Sequence, residues 1–143
     1  MSVYPILEIL LYVLGKWGPL WLGLYAFYIF QNNGNMLWMF SMGLLFNAVL
    51  NHILKVTIKE ERPLKWVDDE THTFYYGMPS GHAQQSVFMA TFLYLQGNVP
   101  YMHYVWFLCG IVMFERVYTQ QHSLKQVLVG AIIGGALAYI YRV

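Results

Sequence analysis

The chain has 143 residues, of which 58% are hydrophobic and only 10% are charged, and its mean hydropathy is +0.44. Soluble domains carry about a quarter charged residues, so this composition excludes a soluble domain and predicts a single membrane-embedded domain over residues 1–143. The net charge is only +1, and the charged side chains cluster at 55–70, at 115–116 and at the ends of apolar stretches, so no nucleic-acid-binding surface is indicated.

Breaker residues divide the apolar sequence into about six predicted helices, most of them shorter than the ~20 residues that a membrane-spanning helix needs. They cover roughly residues 3–14, 19–31, 36–58, 80–96, 101–119 and 122–141. We therefore expect an all-α integral membrane bundle of about five to six short helices. The stretch GKWGP is predicted to separate the first two helices, because Pro19 suits a first helical turn. The first helix contains Glu8 and lacks a basic leader, so we expect it to be retained and to lie at the membrane interface.

Alternation of the helices across the bilayer predicts that four helix ends meet on one side. The long polar segment at 59–79 and the segment ERVYTQQHSLK at 115–125 connect these ends. Almost every charged residue lies on this side, and the opposite side carries little more than amides, glycines and Arg142. One face of the bundle is therefore predicted to hold the chemistry. The excess of Lys and Arg there would make it cytoplasmic by the positive-inside rule, unless those cations serve a ligand.

Three groups of residues converge on this face: Lys55 with Arg62, the tetrapeptide PSGH at 79–82, and Arg116 with His122. Lys55 and Arg62 are seven residues apart, so both would share one face of a helix. Arg116 has a planar fork that suits phosphate oxygens, whereas Lys55 would act as a point charge. Three cations at the ends of membrane helices thus predict an anion site.

The tetrapeptide PSGH would add further groups to this site. Ser80 is placed to cap the fourth helix, and the free amides near Gly81 and His82 would bind phosphate. Gly81 removes a side chain where an anion must come close. The two histidines, His82 and His122, suggest that one attacks phosphorus while the other protonates the leaving oxygen, in a metal-free phosphoryl transfer. Gln126 lies four residues after His122 on the same helix face, so its oxygen can accept the hydrogen of the far imidazole nitrogen.

Other interpretations of these residues stay open. Taken singly, a basic residue or a histidine at a membrane helix end more often anchors the helix in the headgroups than binds a ligand. We assign no part in the site to His52, which would face a neighbouring helix, to His72 in the loop, or to His103 across the membrane. The acidic stretch at 68–70, followed by His72, could hold a divalent metal. A solvated loop is favoured, because no second acidic cluster faces that stretch.

The three groups resemble the motifs of the type-2 phosphatidic acid phosphatase family of lipid phosphatases, K-x6-R-P, P-S-G-H and S-R-x5-H-x3-D, in the same order over about residues 45–141. Here the motifs read KVTIKEERP, PSGH and ERVYTQQHSLKQ. The resemblance implies that His82 is the general acid and that His122 is the nucleophile, which forms a phosphohistidine, with no metal or other cofactor. It also implies that phosphate is bound by Lys55, Arg62, Ser80, Gly81 and Arg116.

Two positions depart from the family pattern: Glu115 stands where the motif has Ser, and Gln126 stands where it has Asp. A carboxylate at 115 would repel phosphate unless it points away or pairs with Arg116. Gln126, together with the stretch YYGMPSGHAQQSVFM, resembles the dolichyl-diphosphatase branch of the family, in which Gln takes the Asp position. The amide would keep the orientation of His122 but would not stabilise positive charge on the ring as a carboxylate does.

The resemblance to this branch implies hydrolysis of a polyprenyl diphosphate of the dolichyl type to the monophosphate and inorganic phosphate. The lipid tail would stay in the bilayer, and the site would face the lumen of the endoplasmic reticulum. Two alternatives stay open. One is a phosphatase that acts on phosphatidate or another lipid monophosphate, because the motifs fix the phosphoryl chemistry and not the tail. The other is a catalytically silent membrane scaffold, because Glu115 and Gln126 depart from the motif.

Overall fold

The computed structural model describes residues 4–63 and 76–142, and these ranges hold five α-helices. They are α1 (Tyr4–Phe30), α2 (Gly34–Ile58), α3 (Gly81–Leu95), α4 (Met102–Tyr118) and α5 (Leu124–Ile140). The expected all-α bundle of five to six helices is confirmed. Both α1 and α2 are long and apolar enough to cross a membrane. The acidic stretch at 68–70 and His72 lie outside the described residues.

The predicted break at GKWGP is wrong, because α1 continues through Pro19 as one helix of 27 residues. A proline inside a helix removes one backbone hydrogen bond, but this part of α1 packs closely against α4. A Cβ atom added at Gly15 would lie 2.4 Å from Cβ of Glu115, and one added at Gly18 would lie 2.1 Å from Cγ2 of Val112. Such close contact between helices favours a continuous α1, so the prediction of a short first helix is wrong.

Aromatic side chains anchor α3 to α1 and α2 in the centre of the bundle. Phe88 and Phe92 of α3 pack with Phe40 of α2 and Phe30 of α1, with ring centroids 5.5 to 6.2 Å apart. None of these four rings is more than 4% exposed. Their burial and edge contacts stabilise the central position of α3.

On its other side, α3 packs backbone to backbone against α5. A Cβ atom added at Gly130 would lie 2.5 Å from the carbonyl oxygen of Ser80, and one added at Gly134 would lie 2.1 Å from that of Gln84. Only glycine allows the two backbones to approach so closely. The N-terminus of α3, which carries the tetrapeptide PSGH, is thereby fixed against α5.

Helix α2 ends at Ile58, before Arg62, which is the second cation of the motif KVTIKEERP. Lys59 adopts the left-handed conformation with φ of 54°, and its N–H bonds to the carbonyl of Lys55, which ends the helix. Arg62 therefore lies in the loop, and the prediction that Lys55 and Arg62 share one helix face is wrong. The loop turns back toward α3, because the N–H of Gly77 donates to the carbonyl of Glu60 at 2.7 Å. This turn brings the loop after α2 beside the start of α3.

Candidate active site

A cavity of about 510 Å³ opens where the ends of α2 and α4 meet the starts of α3 and α5. Its described lining residues are Asn51, His52, Lys55, Arg62, Gly81, His82, Arg116 and His122. All of the site residues predicted from the sequence lie in this lining except Ser80 and Gln126. Ser80 directly precedes Gly81, and Gln126 contacts His122. The structure thus brings the three separate motifs to one place.

Three cations reach the cavity from three different elements. Lys55, in the last turn of α2, donates a hydrogen bond from Nζ to the carbonyl of Tyr76 at 3.0 Å. Arg62, in the loop after α2, donates from Nη1 to the side-chain oxygen of Gln121 at 3.2 Å. Arg116 is buried in the last turn of α4. Since none of the described lining residues is acidic, these charges favour an anionic ligand.

His122 lies in the loop between α4 and α5 and is only 3% exposed. Its Nδ1 atom lies 2.9 Å from the carbonyl oxygen of Gly77 and 3.3 Å from Oε1 of Gln126. Both partners accept hydrogen bonds, so Nδ1 carries the hydrogen and Nε2 keeps its free electron pair. The contact expected from Gln126 is present, but the closer acceptor is Gly77. A backbone carbonyl leaves no mark in a sequence motif, and Gly77 was therefore missed.

The surroundings of His122 keep its ring neutral. Burial lowers the pKa of His122 to about 3, and the positive charges of Arg62 and Lys55 act in the same direction. The ring is therefore uncharged at neutral pH. A neutral imidazole with a free Nε2 atom can attack an electrophile or accept a proton.

Gln126 ties the start of α5 to the loop after α2. It forms a capping box with Ser123 at the first turn of α5. Its Nε2 atom donates to Oε1 of Glu60 at 3.1 Å and to the carbonyl of Glu61 at 2.8 Å. A hydrogen bond from Lys125, with Nζ and Oε2 2.7 Å apart, holds the pKa of the Glu60 carboxyl below its ordinary value. Gln126 thus contacts His122 and also anchors the loop that carries the second cation.

His82 lies in the first turn of α3, and its Nε2 atom lies 3.3 Å from the carbonyl oxygen of Lys16 in α1. Lys16 stands three residues before Pro19, inside the continuous helix α1. The motifs predict His82 in the site but give no sign of a contact with α1. One wall beside the cavity is therefore formed by a helix that carries none of the three motifs.

Ser80 occupies the N-cap position of α3, but its hydroxyl makes no capping hydrogen bond, so the prediction of a side-chain cap is wrong. The hydroxyl is buried and has no hydrogen-bond partner among the described residues. The Ser80 backbone is engaged instead: its N–H donates to the carbonyl of Gln126 at 3.0 Å, and its carbonyl accepts from the N–H of Gln84 at 3.0 Å. The N–H groups of Gly81 and His82 have no intrahelical acceptor and adjoin the cavity, where they can bind an anion.

Glu115 lies behind Arg116 and is fully buried. Its Oε2 atom accepts a hydrogen bond from Nε of Arg116 at 2.5 Å. Glu115 is not among the described residues that line the cavity. The carboxylate therefore pairs with Arg116 and points away from the cavity, which is the arrangement that avoids repulsion of a phosphate.

A network of buried amides below the cavity joins α2 to α3. Asn51 donates from Nδ2 to Oε1 of Gln84 at 2.8 Å, and Gln84 donates from Nε2 to Oδ1 of Asn47 at 2.7 Å. Asn51 also lies against Gly81, where an added Cβ atom would be 3.2 Å from its Oδ1. The recurrence of polar residues every four positions along α2, ending at Lys55, is the sequence signal that could have identified this network.

Two other histidines lie in different places: His52 lines the cavity, and His103 lies far from it. His52, expected to face a neighbouring helix, lines the cavity instead. His103 lies at the start of α4, at the opposite end of that helix from Arg116, as expected. Within residues 4–63 and 76–142, no group of three or more His, Cys, Asp or Glu side chains is arranged to hold a metal ion.

Comparison with known proteins identifies relatives over the part of the chain that forms the cavity. A sequence model of the PAP2 superfamily matches residues 36–143. Dolichyldiphosphatase 1 of Dictyostelium discoideum is 36% identical over 112 residues, which cover 70% of this chain and 48% of that protein. Dolichyldiphosphatase of Saccharomyces cerevisiae is 31% identical over 115 residues, which cover 71% of this chain and 48% of that protein.

A plant relative has a broader name. Lipid phosphate phosphatase gamma of Arabidopsis thaliana is 29% identical over 115 residues, which cover 67% of this chain and 47% of that protein. The chain thus spans about half the length of the curated relatives it matches. No solved structure gives a significant match. The superfamily match includes every cavity-lining residue, whereas α1 lies outside it.

Proposed function

The chain belongs to the PAP2 superfamily, and on this premise we propose that it hydrolyses a polyprenyl diphosphate of the dolichyl type to the monophosphate and inorganic phosphate. The names of its relatives, dolichyldiphosphatase and lipid phosphate phosphatase, agree in a lipid-linked phosphate as substrate. The observation that carries the proposal is the cavity in which His82 and His122 meet three cations. A diphosphate headgroup supplies the negative charge that this cavity favours.

The proposed reaction has two steps. The free electron pair on Nε2 of His122 attacks the terminal phosphorus, and the bond from phosphorus to the bridging oxygen breaks. His82 donates a proton to that oxygen, which leaves as the lipid monophosphate, while the phosphoryl group stays on His122. Water then attacks the phosphohistidine, gives a proton to His82 and releases inorganic phosphate. Both histidines return to their starting states.

Fixed positive groups supply the electrostatic part of the proposed catalysis. The transferred phosphoryl group carries charge on its equatorial oxygens, and prearranged donors stabilise that charge as the bond to the leaving oxygen breaks. Lys55, Arg62 and Arg116 line the cavity from three directions, and the N-terminal amides of α3 adjoin it. Removal of one such donor typically lowers the rate about 100-fold or more. This arrangement needs no metal ion in the proposed mechanism.

An apolar groove close to the cavity supports a lipid substrate. The groove has a volume of about 550 Å³ and is lined almost entirely by apolar residues of α1, α2 and α3. Ala48 in this groove lies one helical turn before His52 of the cavity, and Gln85 lies one turn after His82. The same faces of two helices therefore lead from the charged cavity into the groove. We assign the first isoprenoid units of the substrate to it, with the rest of the tail in the bilayer.

We also propose that the site faces the lumen of the endoplasmic reticulum. The positive-inside rule would place the cation-rich end of the bundle in the cytoplasm. Three of those cations line the cavity, however, so they serve the ligand and do not report topology. The resemblance of the motifs to the dolichyl-diphosphatase branch then favours the lumen.

A substrate panel tests the proposed function. The full chain is purified in detergent and incubated with a polyprenyl diphosphate, with phosphatidate and with a polyprenyl monophosphate, and phosphate release is measured. We expect fastest release from the diphosphate and none from a His122→Ala variant. Faster release from phosphatidate would support a lipid monophosphate phosphatase, to which the lipid phosphate phosphatase relatives also point. No release from any substrate by a folded protein would support the silent scaffold.

A chelator tests whether the reaction is independent of metal ions, and a labelled phosphate tests whether a phosphohistidine forms. Addition of EDTA should leave the rate unchanged, whereas strong inhibition would favour a metal bound at the acidic stretch 68–70. Rapid quenching with base after incubation with terminally labelled substrate should trap label on the protein, because phosphohistidine is labile in acid. The absence of trapped label in wild-type protein that turns over would contradict the covalent step.

A further inference from the structure

The position of Glu115 determines which edge of Arg116 faces the cavity. Oε2 of Glu115 accepts a hydrogen bond from Nε of Arg116 at 2.5 Å and also contacts Nη2. A guanidinium group offers two donor edges, one formed by Nε with one terminal nitrogen and one formed by the two terminal nitrogens. Glu115 occupies the first edge. The second edge, Nη1 with Nη2, is left for a ligand in the cavity that Arg116 lines.

Helix α1 encloses Glu115 from behind. The side chain of Glu115 is fully buried, and a Cβ atom added at Gly15 would lie 2.4 Å from its Cβ and Cγ atoms and 2.7 Å from Cδ. A larger residue at position 15 would therefore displace Glu115 or separate α1 from α4. The other carboxylate oxygen, Oε1, is buried and has no hydrogen-bond partner among the described residues. The main polar partner of this carboxylate is thus Arg116.

We propose that Glu115 is a positioning residue, which holds Arg116 so that its two terminal nitrogens bind one phosphate group, and that Gly15 makes this possible. The proposal rests on the proposed function only in the choice of phosphate as ligand. It explains why a carboxylate is tolerated next to an anion site, because its charge is directed at the guanidinium and not at the cavity. Gly15 lies outside the region matched to the superfamily, so the proposed device joins α1 to a site otherwise formed by the matched region.

Binding of inorganic phosphate tests the proposal without turnover. The full chain in detergent is titrated with inorganic phosphate by calorimetry, and kcat and KM are measured in parallel. Glu115→Ala should weaken phosphate binding about tenfold or more, because loss of a charge-assisted hydrogen bond frees the guanidinium. Glu115→Gln should restore binding to within about threefold of wild type, since its amide oxygen still accepts from Nε. In an Arg116→Ala background, Glu115→Ala should cause no further loss.

Glycine substitutions provide an independent measurement. Gly15→Ala should weaken phosphate binding, whereas Gly110→Ala serves as the matched control, because an added Cβ atom at Gly110 meets nothing within 4 Å. If Glu115→Ala does not fold, this pair takes its place, and equal phosphate affinity in the two variants would overturn the proposal. A folded Glu115→Ala variant with wild-type affinity, or a loss that adds to that of Arg116→Ala, would overturn it as well. A wild-type protein that binds phosphate but releases none from any lipid would contradict the proposed function alone.

Discussion

The Nδ1 atom of His122 lies 2.9 Å from the carbonyl oxygen of Gly77, a residue 45 positions earlier in the chain. A carbonyl oxygen can only accept, so this contact places the ring hydrogen on Nδ1 and keeps Nε2 available for attack. Gly77 is itself held, because its N–H donates to the carbonyl of Glu60 at 2.7 Å. The orientation of the proposed nucleophile therefore depends on the turn that precedes α3.

Loss of Gln126 should have a limited effect on catalysis, because the carbonyl of Gly77 also accepts a hydrogen bond from Nδ1 of His122. We expect Gln126→Ala to lower kcat about fivefold to tenfold, because one hydrogen bond contributes about 1 kcal/mol while the carbonyl of Gly77 remains. Gln126→Asp should cost less, since a carboxylate can still accept from Nδ1 and stabilise a charged ring. Turnover of polyprenyl diphosphate and thermal stability are both measured for each variant, because Gln126 also caps α5 and its loss could destabilise the fold. An Asp variant slower than the Ala variant, at equal stability, would contradict the orienting role.

The pKa of His122 predicts a loss of stability in acid. The folded-state pKa is about 3, whereas an unfolded chain has a histidine pKa of about 6.5. Between these values the unfolded chain binds a proton that the folded protein does not, so stability falls as the pH falls, by up to about 1.4 kcal/mol per unit. Unfolding of wild type and of His122→Gln is measured at pH 7 and pH 5. The variant should lose less stability, and equal losses would show that His122 is not the responsible group.

The helices from α2 to α5 were predictable because Gly, Pro and Asn interrupt the apolar sequence between them, and the polar residues stand at their ends. The convergence of Lys55, His82 and Arg116 on one cavity followed from the alternation of those helices. The continuity of α1 was not predictable, because a proline within an apolar stretch usually marks a helix boundary. Its continuity depends on contact with α4 through Gly15 and Gly18, and such contacts between distant segments leave no local pattern.

The role of Glu115 shows a different limit. From the sequence alone, the carboxylate of Glu115 could either repel phosphate or pair with Arg116. Which of the two occurs depends on which side of α4 is covered by another helix. The same is true of Gly77 and Lys16, whose backbone carbonyls contact His122 and His82. Any residue type supplies a carbonyl, so only the fold can assign these contacts.

The amide network between α2 and α3 should stabilise the protein as well as align the site. Gln84→Leu removes the side-chain hydrogen bonds to Oδ1 of Asn47 and to Nδ2 of Asn51, which should destabilise the fold by about 1 to 3 kcal/mol. The matched control is Gln96→Leu at the other end of α3, where the side-chain nitrogen makes no hydrogen bond within the described residues. Thermal unfolding in detergent should show a lower midpoint for Gln84→Leu than for Gln96→Leu. Equal midpoints would mean that the network contributes little to stability.

The apolar groove should distinguish long lipid tails from short ones. Gly23 lies in the groove, and an added Cβ atom there meets its nearest neighbour, Sδ of Met89, at 3.7 Å, so a leucine fits and extends into the space. Gly23→Leu should lower kcat/KM for a long polyprenyl diphosphate about tenfold, as expected for the loss of about two buried methylene contacts. Isopentenyl diphosphate has a single five-carbon tail that ends near the cavity, so its kcat/KM should not change.

Gly110→Leu controls for the larger side chain, because an added Cβ atom at Gly110 meets no other residue within 4 Å, and it should leave both substrates unaffected. Equal losses for the long and the short substrate in Gly23→Leu would mean that the leucine disturbs the cavity and does not compete with the tail. No loss for either substrate would place the tail outside the groove. Only a loss confined to the long substrate supports a path in which the diphosphate is held by the cations and the isoprenoid chain leaves between α1 and α2.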